Sequence, residues 1–319
     1  MKRIVTLLAA LLMATAVSAQ PLPKVSPESV GLNSKMLAEA DKMIAEAAAN
    51  KDCPGAVFAV VRHGKVAHLK AFGDKQWLPE EAPMKQNTIF DLASVSKPTS
   101  TAVCTMILVE RGKIRLTDKV KEYLPGFKGY AKEAGDTTDI RIADLLTHSS
   151  GLPAYAPVAT VVEQGGANPE ALLDYIKNCT RSFAPKSRFR YSCLNFITLQ
   201  HVIEKVTGQT LAQFAKENVF DVLGMKDTSY GPITDKQTLK RVAPTEKQPD
   251  GTILLGSVHD PLARVLNHGN SGNAGVFSTA EDLAILYAAL LNGGEINGKR
   301  IMGSKTIEKM FSVPENVKH

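Results

Sequence analysis

The sequence contains no Gly-x-Ser-x-Gly, which argues against the strand-to-helix elbow of the α/β-hydrolases. It has four cysteines (Cys53, Cys104, Cys179 and Cys193), with no Cys-x-x-Cys and no clustered Cys/His spacing, so a zinc site is not expected. The seven histidines are scattered as well. No metal or organic cofactor is implied. Beyond the N-terminus no apolar run is long enough to cross a bilayer. Charges of both signs are interspersed and no basic stripe carries stacked aromatics, so nucleic acid is not an expected partner. Internal repeats and low-complexity runs are absent too.

What is present begins with a short export signature. Lys2 and Arg3 form a positive start, Ile4 to Val17 is apolar and uncharged, and Val17-Ser18-Ala19 places small residues before Gln20. This pattern predicts a secretory signal over 1–19 that is removed on export. No cysteine follows it, so lipid attachment is not expected. The protein is read as exported across the inner membrane, periplasmic or in the cell envelope, without a stable span after cleavage, and monomeric. Residues 20–319 are enough for one large domain, or two lobes sharing a core. The formal charge of +6 loses Lys2 and Arg3 with the signal and becomes +4. In an oxidising compartment four cysteines allow three full pairings, but a core of this size needs no staples. Cys104 lies on an apolar helix and reads as a small buried hydrophobe.

Periodicity gives the order of elements. Leu32 to Asn50 reads as an amphipathic helix, with Met36, Ala40, Met43, Ile44 and Ala47 at helical spacing and Asn33 or Ser34 as its cap. Ala56–Val61 and Val66–Phe72 read as two strands joined at His63-Gly64-Lys65. A loop and a helix ending at Arg111-Gly112 follow. To about residue 225 the signals are mostly helical, with Asn168-Pro169-Glu170 opening one helix and Phe196, Leu199, Val202, Ile203 and Val206 striping another that Gly208 closes. Residues 226–278 look loop-like. Ser278-Thr279-Ala280-Glu281 reads as a capping box before a helix over 281–292, and Ser304 to Phe311 looks helical. The expected fold is α+β: an antiparallel sheet flanked by helices, with an all-helical lobe inserted over roughly 113–225. An isolated hairpin is marginal in water, and little sequence remains to add strands, so the last strands are expected to be missing.

The densest chemical signal is Ser94-Val95-Ser96-Lys97. Positions i and i+3 of a helix share a face, so the Lys97 amine can reach the Ser94 hydroxyl. A free hydroxyl is a poor nucleophile and needs a neighbouring base, and a lysine in a partly dry cleft can serve. Pro98 suits a first helical turn, and Val103, Met106, Ile107 and Val109 supply the apolar body. Spacing alone is weak evidence, because Ser-x-x-Lys recurs by chance roughly once in a chain of this size. A second element is needed to shuttle the proton. Tyr191, at a loop-to-helix transition in Phe189-Arg190-Tyr191-Ser192-Cys193-Leu194-Asn195-Phe196, can offer its phenol oxygen or can be a core tyrosine with a bonded hydroxyl.

Together these segments resemble the β-lactamase-related serine hydrolases, which comprise class C β-lactamases, DD-peptidases and esterase relatives. Ser94-Val95-Ser96-Lys97 matches their Ser-x-x-Lys, and Tyr191-Ser192-Cys193 aligns with their Tyr-x-Asn. Asp144 to Pro153, Leu223 to Thr228 and Ala274 to Ala280 are similar to further family segments. The resemblance spans about 30 to 310 and implies acyl transfer through a serine ester. In that scheme Ser94 is the nucleophile, Lys97 the base and Tyr191 the proton shuttle, with His148, Cys193 and Asn195 at the substrate. The implied substrate is an ester, a D-amino-acid peptide of the cell wall or a β-lactam, with β-lactamase action ranked below the other two. A non-catalytic module binding peptidoglycan or β-lactams is the competing expectation.

Two departures stand out. Cys193 occupies a position where the family usually has Asn or Asp, and Asn195 either covers its hydrogen bonds or nothing does. The family's Lys/His-x-Gly strand, which supplies one oxyanion donor and the edge for an extended substrate, is absent. His268-Gly269 and Asn273-Ala274-Gly275 are the nearest approximations, on the wrong side of the 281–292 helix. Losing one oxyanion donor costs on the order of 100- to 1,000-fold in rate. The reading favours a fragment of a longer product, or else an impaired enzyme. His259-Asp260 reads as a loop-ordering pair.

Overall fold

Helix α1 (Ser34–Ala49) precedes a hairpin of β1 (Gly55–Arg62) and β2 (Lys65–Gln76) in the computed structural model, which describes residues 21–131 and 135–313. The expected signal over 1–19 lies outside the described residues. Asn33 caps α1 by accepting from the Lys35 and Met36 N–H groups. At the hairpin turn His63 and Gly64 both take left-handed φ (53° and 68°), the conformation a two-residue turn needs to match strand twist. Helix α1 packs on both strands, but its inward face differs from the expected stripe. Met36 and Met43 are exposed (67% and 70%). The helix is rotated so that Asp41 meets β2, accepting from His68 (2.7 Å) and Lys70 (3.0 Å). Ala40, Ile44 and Ala47 of the expected stripe are half-buried, and the exposure of Met36 and Met43 has no explanation in the contacts of α1.

Among the described residues the sheet gains one short third strand, β3 (Ala82–Pro83), in the order β1-β2-β3. A second small sheet carries the site. It is built from β4 (Phe90–Asp91), β5 (Ser229–Tyr230) and β6 (Val276–Ser278), with β6 between the other two and antiparallel to both. Residues 226–278 are therefore not all loop.

Helix α2 (Ala102–Glu110) runs from the site into the main core, which it shares with α3 (Val158–Gly165), α4 (Pro169–Asn178) and α5 (Cys193–Thr207). Asn168 caps α4 through the Ala171 N–H, and Gly208 closes α5 in a left-handed turn (φ 71°). The inserted lobe is mostly helical, as expected, but not wholly so: Tyr130–Ala131 pairs with Thr137–Thr138 in a short ribbon. Helix α6 (Ala280–Leu291) packs on β1; its cap is Thr279, which accepts from the Asp282 N–H, one residue later than the expected box. None of the described helices is long and apolar enough to cross a membrane.

A loop over 267–275 leads from the turn over 262–266 into β6. It lies directly on α5: the Gly272 N–H donates to Gln200 (3.0 Å), the Gln200 amide donates to the Asn270 carbonyl (2.8 Å), and Thr101 donates to the Gly272 carbonyl (2.7 Å). A Cβ on Gly272 would lie 1.9 Å from the Phe196 carbonyl oxygen, so only glycine permits this approach. Gly272→Ala is expected to cost about 2–4 kcal/mol, within the range of substitutions that force backbone apart. Urea unfolding of the variant, with an unchanged m-value, checks it.

Candidate active site

Strand β4 ends at Asp91, whose carboxylate accepts from the Ala93 N–H (2.8 Å) and the His259 N–H (2.7 Å). Burial pushes this carboxyl above its ordinary range. The grip holds Ala93 at φ 45°, a left-handed conformation costly for a residue with a Cβ. Ser94 follows, exposed, in a tight turn over Ala93–Val95. The expected single helix is divided here. A wide π-turn covers Lys97–Thr101, closed by the Ala102 N–H on the Lys97 carbonyl, before regular α2 begins. The wider turn accommodates Pro98, which has no N–H to contribute, and such turns recur at functional sites. The backbone of β6 clamps the segment. The Leu92 N–H donates to the Val276 carbonyl (2.9 Å), and the Val276 N–H donates to Ser96 Oγ (3.0 Å).

Lys97 is 3% exposed. Its Nζ donates to Ser94 Oγ at 3.0 Å and to the Asn273 carbonyl at 2.8 Å, and lies 3.7 Å from Cys193 Sγ. It also lies 4.9 Å from the centre of the Tyr191 ring and 6.0 Å from that of Phe196. The expected meeting of Ser94 and Lys97 is therefore present, and Tyr191 closes over them. The contact with Tyr191 differs from the expected one: the ammonium faces the ring, and among the described residues the phenol oxygen has no hydrogen bond to Ser94 or Lys97. Tyr191 remains 43% exposed, with its ring 4.5 Å from that of His148.

Cys193 occupies the first position of α5 and reaches Lys97 itself, so Asn195 does not replace it there. Burial pushes the Cys193 thiol up, against the pull of the lysine charge, leaving a weakly polar neutral neighbour. Asn195 is placed differently from the substrate-contact expectation. It is fully buried, accepting from Ser150 Oγ (2.5 Å) and lying 3.2 Å from His148 Nδ1, one layer behind the cleft. His148 is half-buried against Tyr191, Phe189 and Phe196, and its Nδ1 accepts from the Ser192 N–H (3.1 Å). With Nδ1 accepting, the ring is neutral with its proton on Nε2. Its pKa is lowered to about 4, by burial first and the Lys97 charge second.

Three participants take parts that the sequence reading does not give them: Asn273 figures there only beside the missing strand and Asp260 only as half of a loop-ordering pair, while Tyr155 is not singled out. Asn273 enters through a main-chain carbonyl, which no residue type advertises. Asp260 accepts from the Asn273 amide (3.1 Å), and Tyr155 donates to Asp260 (3.3 Å) at the mouth. Among the described residues no group of three or more His, Cys, Asp or Glu is arranged to hold a metal, and no strand bearing Lys/His-x-Gly lines the cleft.

A serine and a lysine three apart at the entrance of a helix, closed over by a tyrosine from an inserted lobe, place the chain in the class of Ser-x-x-Lys folds. The Beta-lactamase family model matches residues 40–314, and the chain belongs to that family. It is 32% identical to an N-acetylmuramyl-L-alanine amidase of Bacillus subtilis, covering 92% of this chain and 71% of that protein. It is 30% identical to an Escherichia coli K12 protein provisionally named a D-alanyl-D-alanine carboxypeptidase, covering 98% and 77%. Among solved structures it resembles EstCE1, described as a hydrolase with promiscuous acyltransferase activity (TM-score 0.66, 25% identity, 86% of this chain and 76% of that one). It shares its fold with an octameric penicillin-binding protein homologue of Pyrococcus abyssi (TM-score 0.67, 24% identity, 88% and 61%).

The neutral imidazole gives a pH dependence of known sign. The unfolded chain takes up a proton at the ordinary histidine value of 6.5, whereas the folded protein resists until about pH 4. This contribution to stability is therefore full above 6.5 and falls as the pH drops toward 4. Melting temperatures between pH 7 and 4.5 are expected to fall more steeply in the wild type than in His148→Asn.

Proposed function

We propose that the protein is an exported serine hydrolase of the cell envelope that acts by acyl transfer through Ser94 on esters or D-amino-acid peptides. One observation carries the reading: an exposed hydroxyl hydrogen-bonded at 3.0 Å to a lysine nitrogen that is itself almost wholly buried. In the proposed sequence, Lys97 as the amine takes the Ser94 proton while Oγ attacks the carbonyl carbon. The Ser94 N–H supports the developing oxyanion. Tyr191 passes a proton to the leaving group, which departs and leaves an acyl ester on Ser94. Water, activated by the same pair, then releases the acid. The phenol has to turn from its resting position to do this. Its half-exposed ring allows that, and catalytic hydrogen bonds of this kind commonly tighten only around substrate.

The relatives support both substrate classes. Those named for amidase and carboxypeptidase action point to cell-wall peptides, and EstCE1 points to esters. The mouth favours an apolar acyl group: Val95, Tyr155, Phe189 and Tyr191 are all large, apolar or aromatic, and exposed around the polar floor. The envelope location rests on the sequence of residues 1–19 and on the cell-wall relatives.

Incubation with a fluorophosphonate or a penicillin, followed by mass spectrometry, is expected to place one adduct on Ser94. Ser94→Ala is expected to abolish the adduct, and Lys97→Met to slow its formation about 100- to 10,000-fold, the range for a lost general base. An intact fold with no adduct at any time would instead favour a binding module.

A further inference from the structure

The firmest oxygen on Lys97 belongs to a main-chain carbonyl, and a carbonyl points wherever its residue is held. Asn273 is fully buried, and its side chain is gripped from two sides. Ser271 Oγ donates to Asn273 Oδ1 at 2.7 Å, and Asn273 Nδ2 donates to Asp260 Oδ1 at 3.1 Å. Asp260 is fixed in turn. Its Oδ1 also accepts from the Ala263 N–H (3.0 Å), and its Oδ2 accepts from Tyr155 (3.3 Å), whose oxygen accepts from the Leu262 N–H (3.3 Å). The carboxylate thus joins the cleft mouth, the turn over 260–263 and the residue whose carbonyl meets Lys97. The turn has its own packing, because Leu262, Ala263 and Leu266 are fully buried. Asp260 is therefore surplus to the core but placed to aim the site.

We infer that Asp260 is a positioning residue for acyl transfer: through Asn273 it directs the carbonyl that holds the Lys97 nitrogen against Ser94. The inference rests on the Ser94–Lys97 reading above. A misplacement of about 1 Å at a reacting pair can cost on the order of 100-fold in rate. Asp260 touches none of the reacting atoms, so its effect is expected in turnover and not in substrate binding.

The test uses the full chain, with p-nitrophenyl acetate hydrolysis and the rate of fluorophosphonate labelling of Ser94 as readouts. Asp260→Ala is expected to lower kcat and the labelling rate about 10- to 100-fold, with KM within about twofold. Asp260→Asn keeps an oxygen for the Asn273 amide and is expected to stay within about threefold of wild type. Asn273→Ala is expected to match Asp260→Ala, and the double variant to be no worse than the weaker single, since both act on one contact. Additive losses, an Asp260→Asn as impaired as Asp260→Ala, or a kcat unchanged in Asp260→Ala would each overturn the inference. If Asp260→Ala does not fold, Asn273→Ala decides, and an unchanged labelling rate there overturns it. Wild-type protein that never labels on Ser94 sinks the hydrolase reading itself. Wild type that labels, with variants that label equally fast, sinks only the role of Asp260.

Discussion

A lysine nitrogen with almost no access to water must be met by hydrogen-bond partners that cannot move away, because leaving a buried polar group unmet costs several kcal/mol. Lys97 is that nitrogen, and the site is organised around satisfying it. One oxygen comes from Ser94, one turn earlier in its own segment, and the other from the Asn273 carbonyl. The rest of its surroundings are soft: a thiol and two aromatic faces. Those faces are attractive to a cation yet impose no hydrogen-bond geometry. Direction therefore comes chiefly from the two oxygens, with a weaker bond to the thiol, and both oxygens are held by residues outside the motif.

That backbone explains why the nucleophile turn can hold a left-handed alanine and a π-turn in succession. Asp91 on one side and Val276 on the other hold the segment at both ends, and the local distortion between them is set by the clamp. The inserted lobe contributes the opposite wall. His148, with its own left-handed φ of 55°, sits behind Tyr191 and accepts from the next residue's N–H, so the tyrosine is mounted on an uncharged ring.

Much of this was readable in the amino-acid order. Helix limits at Asn33, Asn168 and Gly208 follow from capping chemistry, and the His63-Gly64 turn from its tolerance of positive φ. The spacing brings Ser94 and Lys97 together and the resemblance adds Tyr191; the structure places the three side by side. What escaped has a common cause. Asn273 acts through a peptide oxygen, Asp41 of α1 pairs with His68 on another element, and Asn195 bonds inward to Ser150. Each depends on a partner distant in the chain, which neither propensity nor periodicity encodes. Cys193 was visible as a departure from the family pattern, but only the fold reveals that the thiol itself, and not Asn195, stands beside the lysine.

The clamp around the nucleophile also bears on when the site comes into being. Lys97 and Asn273 are 176 residues apart, Ser96 and Val276 180, and Asp91 and His259 168. Contacts of such long sequence separation close late in folding, after local helices have formed, because the loop entropy must be met first. Ser94 and Lys97 are near neighbours in sequence, yet the contacts that fix their relation to each other come from the last third of the described chain, so the site depends on tertiary closure and not on the local motif alone.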